Sequence, residues 1–124
     1  MVYFEIRKSK IHGKGIFTTK AIKKKTKFYR VPLKNIFNSP KPRCAFIGKH
    51  RWVCDNKVLN WVNHSCDANA LLCIDRKMPC LIARKDIKLG EEITCDYNKT
   101  EKNGKKVRCN CKSRICKKYF LIKV

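Results

Sequence analysis

Acidic residues are scarce in this chain. Nine Asp and Glu stand against 31 Lys and Arg over 124 residues, a formal net charge of +22. That imbalance excludes an acidic surface and favours polyanionic surroundings: nucleic acid, nucleoprotein or acidic protein. A lysine-biased genome giving a solvated surface is the plainer alternative, and Lys outnumbers Arg 23 to 8. Long apolar runs are also missing. No stretch of 18 apolar residues is present, so no membrane span is expected. Met1-Val2-Tyr3-Phe4 runs into charges and not into an apolar core segment, so no secretory signal is expected and the location should be intracellular, not secreted. There is no internal repeat and no long amphipathic helical pattern. Many short apolar segments separated by turns predict a mostly β fold. At this length one domain with one modest core is expected, and a metal clip would help it.

The basic charge is uneven. Residues 1–30 and 98–124 each carry ten basic residues and one acid, while residues 31–97 carry eleven basic residues and seven acids. Nine cysteines are many for this length. An odd count in a reducing compartment argues for metal binding plus free thiols over a disulfide framework.

The chain is organised around Asn63-His64-Ser65-Cys66-Asp67-Ala68-Asn69, a polar cluster between two apolar runs, residues 58–62 and 70–74, both read as strands. Such a cluster is either a loop that carries chemistry or a turn that only reverses the chain. Upstream, residues 2–6 read as a strand, followed by Gly13-Lys14-Gly15. Two glycines one residue apart permit a tight turn or a close backbone approach to a ligand. The third glycine of a dinucleotide fingerprint is missing and no helix pattern follows. Residues 16–19 and 28–32 read as strands, and 21–27 as a basic turn. Residues 33–57 read as irregular, with Pro40 and Pro42 barring a helix interior there and short strands at 44–47 and 52–54. Residues 71–74 and 79–83 read as a β-hairpin, and 93–97 as the last clear strand.

From residue 98 the composition turns to Lys, Asn and Gly, then to Cys109-Asn110-Cys111-Lys112-Ser113-Arg114-Ile115-Cys116. Cationic neighbours lower thiol pKa values, and thiolates are the ligands of zinc. A structural zinc takes four ligands and this cluster supplies three. Cys44, Cys54, Cys73, Cys80 and Cys95 sit in apolar contexts and read as core thiols, which leaves Cys66 as the fourth-ligand candidate. Such a zinc would fold the basic tail back over Asn63 and His64. Three unligated surface thiols are the bland alternative.

Gly13-Lys14-Gly15, Asn63-His64-Ser65-Cys66-x-x-Asn69, Gly90-Glu91-Glu92-Ile93-Thr94-Cys95-Asp96-Tyr97 and the Cys-x-Cys-x4-Cys tail occur in that order. Together they resemble the SET-domain protein lysine methyltransferases with a post-SET cysteine segment. The resemblance implies a mostly β, clip-like SET fold of several short sheets with a C-terminal pseudoknot and a small zinc-bound tail. It places the SET domain at 1–98 and the post-SET segment at 99–124. It also implies S-adenosylmethionine as methyl donor, S-adenosylhomocysteine as product and one structural Zn2+.

Carried over by position, Lys14, Gly15, Asn63 and His64 would bind the cofactor, and Tyr119 or Phe120 would cover its adenine. Tyr97 would be catalytic, Tyr29 and Cys95 would line the lysine channel, and Cys66, Cys109, Cys111 and Cys116 would hold zinc. Ala68, Lys112, Lys118 and Cys95 depart from residues common in the family, which at 112 and 118 are glycines. Cys95, smaller than the usual Phe or Tyr, would leave room for more than one methyl group.

The expected partner is a protein with an accessible lysine, a histone or a ribosomal or nucleoid protein. Asp55, Asp67, Asp75, Glu91 and Asp96 would supply local acidity to its groove. Electrostatic docking on nucleic acid, a monomer or homodimer, and no membrane association complete the expectation. The location would be nucleus or chromosome in a eukaryote or its virus, and cytoplasm or a translocated effector in a bacterium. Two other readings stay open: a basic zinc-containing nucleic-acid-binding module, and an inactive SET-like scaffold.

Overall fold

The computed structural model describes residues 3–39, 45–48, 51–55, 57–75, 78–96, 105–111 and 113–122. Within them lie twelve short strands: β1 (Phe4–Lys8), β2 (Lys14–Thr18), β3 (Lys27–Arg30), β4 (Ile36–Phe37), β5 (Ala45–Gly48), β6 (Arg51–Val53), β7 (Asn63–His64), β8 (Ala70–Asp75), β9 (Met78–Ala83), β10 (Thr94–Cys95), β11 (Lys105–Arg108) and β12 (Tyr119–Ile122). The helical elements among the described residues are single 3-10 turns at Leu33–Asn35 and Leu59–Trp61. The mostly β expectation holds, and no helix among these residues is long and apolar enough to cross a membrane.

Five small sheets result: β1-β2, β3-β9-β8, β4-β6-β5, β7-β10 and β11-β12. β9 is nearly all apolar because it is the central strand of its sheet, with Cys80 and Leu81 fully buried. β1 is mostly exposed and lends the core chiefly Phe4, whose ring meets Tyr29 edge-on at 6.0 Å. The main core joins Ile16, Val58, Val62, Ala70, Leu81, Ile93 and Cys95. A smaller cluster of Ile22, Ala83 and Ile87 sits beside Phe28.

β7 and β10 pair in parallel, Asn63 opposite Thr94 and His64 opposite Cys95. This is the strand association expected of the pseudoknot, and two residues per strand do not hold it alone. The Ser65 N–H donates to the Cys95 carbonyl at 3.0 Å. The buried Asn69 amide donates to the Glu92 carbonyl at 2.8 Å and accepts from the Thr94 N–H at 2.9 Å. The last residue of the polar loop is therefore a clamp on the crossing segment.

Where the apolar run 58–62 predicts a strand, the chain forms a 3-10 turn at Leu59–Trp61. The cause is Asp55, a buried acid three residues upstream of that run. One of its carboxylate oxygens accepts from the Val58 N–H at 3.0 Å, the Leu59 N–H at 3.1 Å and the Tyr29 hydroxyl at 2.8 Å. Its carbonyl accepts from the Asn60 N–H at 2.9 Å. Local side-chain acceptors of this kind outcompete a ladder. Cys54, read as a core thiol, is disulfide-bonded. Cys44 lies outside the described residues, Cys73 and Cys95 keep their thiols, and the Cys80 sulfur stands 3.2 Å from that of Cys73.

Burial, then the hydrogen bond to Asp55 and its negative charge, push the Tyr29 phenol well above its ordinary value. A folded-state pKa above the unfolded one stabilises the fold below the ordinary tyrosine range, and the contribution is lost as pH rises through the folded value. Alkaline titration followed by tyrosinate absorbance should therefore show Tyr29 ionising only as the fold opens. The Tyr29→Phe variant should lack that late step. A Tyr29 signal emerging before any loss of structure would contradict the placement.

Candidate functional site

The first part of the site is the approach of the glycine turn to β7. Gly13 has a positive φ of 44°, with nothing within 4 Å of where a Cβ would stand, so its glycine serves the turn. Gly15 is glycine for a different reason. A Cβ there would lie 2.2 Å from a Glu92 carboxylate oxygen and 3.1 Å from the Asn63 amide nitrogen. That nitrogen faces three acceptors, the carbonyls of His12 at 3.0 Å and Lys14 at 3.1 Å and the Glu92 carboxylate at 2.8 Å. Asn63 thus pins residues 12–14 against the parallel strand pair.

The second part begins at His64. Its imidazole is buried, with Nε2 3.4 Å from the Cys66 sulfur and Nδ1 3.7 Å from the Asp96 carboxylate. Burial lowers the His64 pKa, Asp96 opposes that shift and the Lys117 ammonium adds to it. The Sγ atoms of Cys66, Cys109, Cys111 and Cys116 lie within 4.8 Å of one another, and Cys66 and Cys109 are 3.9 Å apart. Thiolates on a tetrahedral zinc stand about 3.8 Å apart, so this donor set fits a metal ion.

The backbone supports the same conclusion. Lys117 N–H points at the Cys66 sulfur at 3.2 Å, Lys118 N–H at Cys116 at 3.4 Å, and Cys111 N–H at Cys109 at 3.4 Å. Such donors orient and stabilise metal-bound sulfur. Burial raises the Cys66 and Cys109 thiols. At Cys111 burial acts upward too, and hydrogen bonds with Ser113, Cys66 and Cys109 together outweigh it, bringing that thiol down to about 6. Lys118 occupies one of the positions where a glycine is common. It keeps the left-handed backbone that glycine would favour, φ 69°, and its carbonyl accepts from the Cys109 N–H at 2.6 Å.

The other predicted residues are placed as follows. Tyr97 and Lys112 lie outside the described residues. Cys95 belongs to the main core, its thiol raised to about 12 by burial and by Asp96. Tyr29 packs on the same core from β3. Tyr119 is half exposed under the Lys106 ammonium, 4.6 Å from the ring centroid. It borders a 290 Å³ cavity with Arg108, Cys109, Cys116 and Lys118, and Phe120 sits opposite Val107 in the last hairpin.

The acids expected to line a groove are largely engaged otherwise. Asp55 is buried under Tyr29, Asp67 pairs with Lys85 at 2.7 Å, and a Glu91 carboxylate oxygen accepts from the Lys88 N–H at 2.8 Å. Reasoning from sequence missed Glu92, Ser9 and the clamp role of Asn69. Glu92 stood in plain view within Gly90-Glu91-Glu92, but only its bridge to Phe17 turns the carboxylate toward Gly15.

Comparisons with known proteins agree with this geometry. The family described as SET domain matches residues 13–98. A probable histone-lysine N-methyltransferase of Caenorhabditis elegans, set-23, is 32% identical over 98 residues, covering 74% of this chain and 38% of that protein. The histone-lysine N-methyltransferase trithorax of Drosophila virilis is 26% identical over 138 residues, covering 95% of this chain and 4% of that protein. The chain thus spans well under two thirds of these relatives. Among solved structures, the methyltransferase domain of human histone-lysine N-methyltransferase SETMAR superposes with a TM-score of 0.75. It is 19% identical and covers 99% of this chain and 59% of that one, a likeness of fold.

Proposed function

The chain belongs to the SET-domain family, and we propose that it is an S-adenosylmethionine-dependent protein-lysine N-methyltransferase acting on a histone or another basic, nucleic-acid-associated protein. The supporting observation is the convergence of the Gly13-Lys14-Gly15 turn, Asn63 and a four-thiol cluster at two neighbouring strands. We assign residues 1–98 to the SET domain and 99–124 to a post-SET segment carrying one structural Zn2+ on Cys66, Cys109, Cys111 and Cys116. The histone-lysine N-methyltransferase relatives support an intracellular, chromosome-associated location. Exposed Lys106, Arg108, Lys117 and Lys118 suit docking on nucleic acid.

When bound, S-adenosylmethionine supplies an electrophilic methyl group on a sulfonium. Lys14 and Gly15 would offer it backbone groups, Asn63 and the His64 main chain would hold its polar ends, and Tyr119 or Phe120 would cover its adenine. The lysine amine must first lose a proton. With a reference pKa of about 10.4, about one amine in a thousand is neutral near physiological pH, a cost of about 4 kcal/mol. An apolar channel built with Tyr29 and Cys95 lowers that cost by disfavouring the ammonium. The Tyr97 hydroxyl would orient the neutral amine and stabilise developing charge, and alignment supplies much of the remaining rate.

Incubation with methyl-labelled S-adenosylmethionine and a panel of histones, ribosomal proteins and free nucleic acid tests the assignment. Label should appear on protein lysine and be lost in Tyr97→Phe. Mass analysis should show more than one methyl group, because Cys95 is small. Label on nucleic acid would replace protein lysine as the substrate, and no label anywhere with nucleic acid bound would replace the enzyme by the binding module.

A further inference from the structure

The network around Gly15 reaches beyond the residues assigned above. Glu92 is carried on a segment hydrogen-bonded along β2, with the Thr18 N–H on the Glu91 carbonyl at 3.1 Å and the Ile93 N–H on the Ile16 carbonyl at 2.9 Å. Its carboxylate accepts from the Ser9 hydroxyl at 2.8 and 2.9 Å and from the Asn63 amide at 2.8 Å. Ser9 in turn accepts the N–H groups of Ile11 at 2.9 Å and His12 at 3.2 Å. The carboxylate therefore ties both ends of the glycine turn to β7: the start through Ser9, the end through Asn63. The Asn63 amide has two hydrogens for three acceptors, so its direction is set by the strongest, and an ionised carboxylate outranks two carbonyls.

We infer that Glu92 is a positioning residue of the methyl-donor site, its carboxylate holding the Asn63 amide and the glycine turn at the separation the cofactor needs. This rests on the functional reading above and adds a residue to it. It also explains Gly15, which lacks a positive φ and is glycine because the carboxylate occupies the space a side chain would fill. A methyl group at position 15 would displace the carboxylate from Ser9 and Asn63, so Gly15→Ala and Glu92→Ala should remove the same interaction.

The test is calorimetric binding of S-adenosylhomocysteine to the full, metal-loaded chain, with thermal unfolding in parallel. Glu92→Ala and Gly15→Ala should each weaken binding about 10- to 100-fold, the range typical when a supporting residue is lost from behind a ligand-contacting one. The double variant should bind no worse than Glu92→Ala, because groups acting through one contact are not additive. Glu92→Gln, which keeps an acceptor for Asn63, should lose only about 3- to 5-fold. Multiplicative losses in the double variant, or Glu92→Ala binding like wild type whether or not its melting temperature falls, would overturn the inference and leave the methyltransferase reading standing. Wild type that binds neither S-adenosylhomocysteine nor S-adenosylmethionine would overturn both.

Discussion

Stripping the zinc proposed at the four thiols with a chelator, or removing one of its ligands by Cys66→Ser, is expected to release the C-terminal hairpin from the rest of the chain and abolish cofactor binding. β11 and β12 form an isolated two-stranded sheet, which is marginal in water by itself. Residues 105–122 carry seven Lys and Arg and no acid, so the segment repels itself. Tyr119 is half exposed, and Ile115 is 59% exposed, so neither offsets that repulsion by burial. The sulfur at position 66 is contributed by the strand-pair loop, the other three by the tail.

Structural zinc contributes about 10–16 kcal/mol in small domains, as much as the whole stability of a typical one. The body has its own core, built from β1, β2, β3, β8, β9 and β10, and should stay folded at a lower melting temperature. Measured outcomes should be release of one zinc per chain, loss of hairpin amide protection by hydrogen exchange, and loss of S-adenosylhomocysteine binding. Acid should act in the same direction, since protons compete for thiolates. Cys73→Ser should leave zinc content unchanged. An ordered, cofactor-binding chain with no metal bound would refute the clamp.

What could be read in the sequence depended on whether the information was local. Strands with alternating or continuous apolar runs, such as 70–74 and 79–83, announced themselves, because burial on one or two faces imposes that pattern. The thiols at 109, 111 and 116 were legible from spacing and Cys66 from its polar context. The β11-β12 hairpin was not: β12 is the apolar run Tyr-Phe-Leu-Ile, but its partner Lys-Lys-Val-Arg carries no strand pattern. The strand read at 58–62 failed because its apolar run carries no trace of a carboxylate three residues earlier. Glu92 failed for a related reason: its partners Ser9 and Asn63 are 83 and 29 residues away, and only the completed sheet brings them together.

Asp55→Ala is the substitution expected to damage the fold most without touching the thiol cluster. The buried carboxylate collects the Tyr29 hydroxyl, the Val58 and Leu59 N–H groups and, at 3.4 Å, the Asn35 amide. Alanine leaves a hydroxyl and two backbone donors unpaired in or beside the core. At about 1–3 kcal/mol each, relieved in part by water, the loss is about 3 kcal/mol, or about 10 °C in melting temperature for a chain of this size. Asp55→Asn keeps an oxygen for the three strongest donors and should lose about 1 kcal/mol.

The consequence should reach the site, because the turn that Asp55 holds delivers Asn63. Trp61 N–H bonds to the Val58 carbonyl at 3.0 Å and Val62 N–H to the Leu59 carbonyl at 3.1 Å, immediately before β7. Unwinding that turn lets Asn63 drift from Lys14 and Glu92, so S-adenosylhomocysteine affinity should fall with stability in Asp55→Ala and stay near wild type in Asp55→Asn. A destabilised Asp55→Ala that binds with undiminished affinity would separate the two. The parallel pairing of β7 with β10 would then be sufficient to place Asn63 without the turn that precedes it.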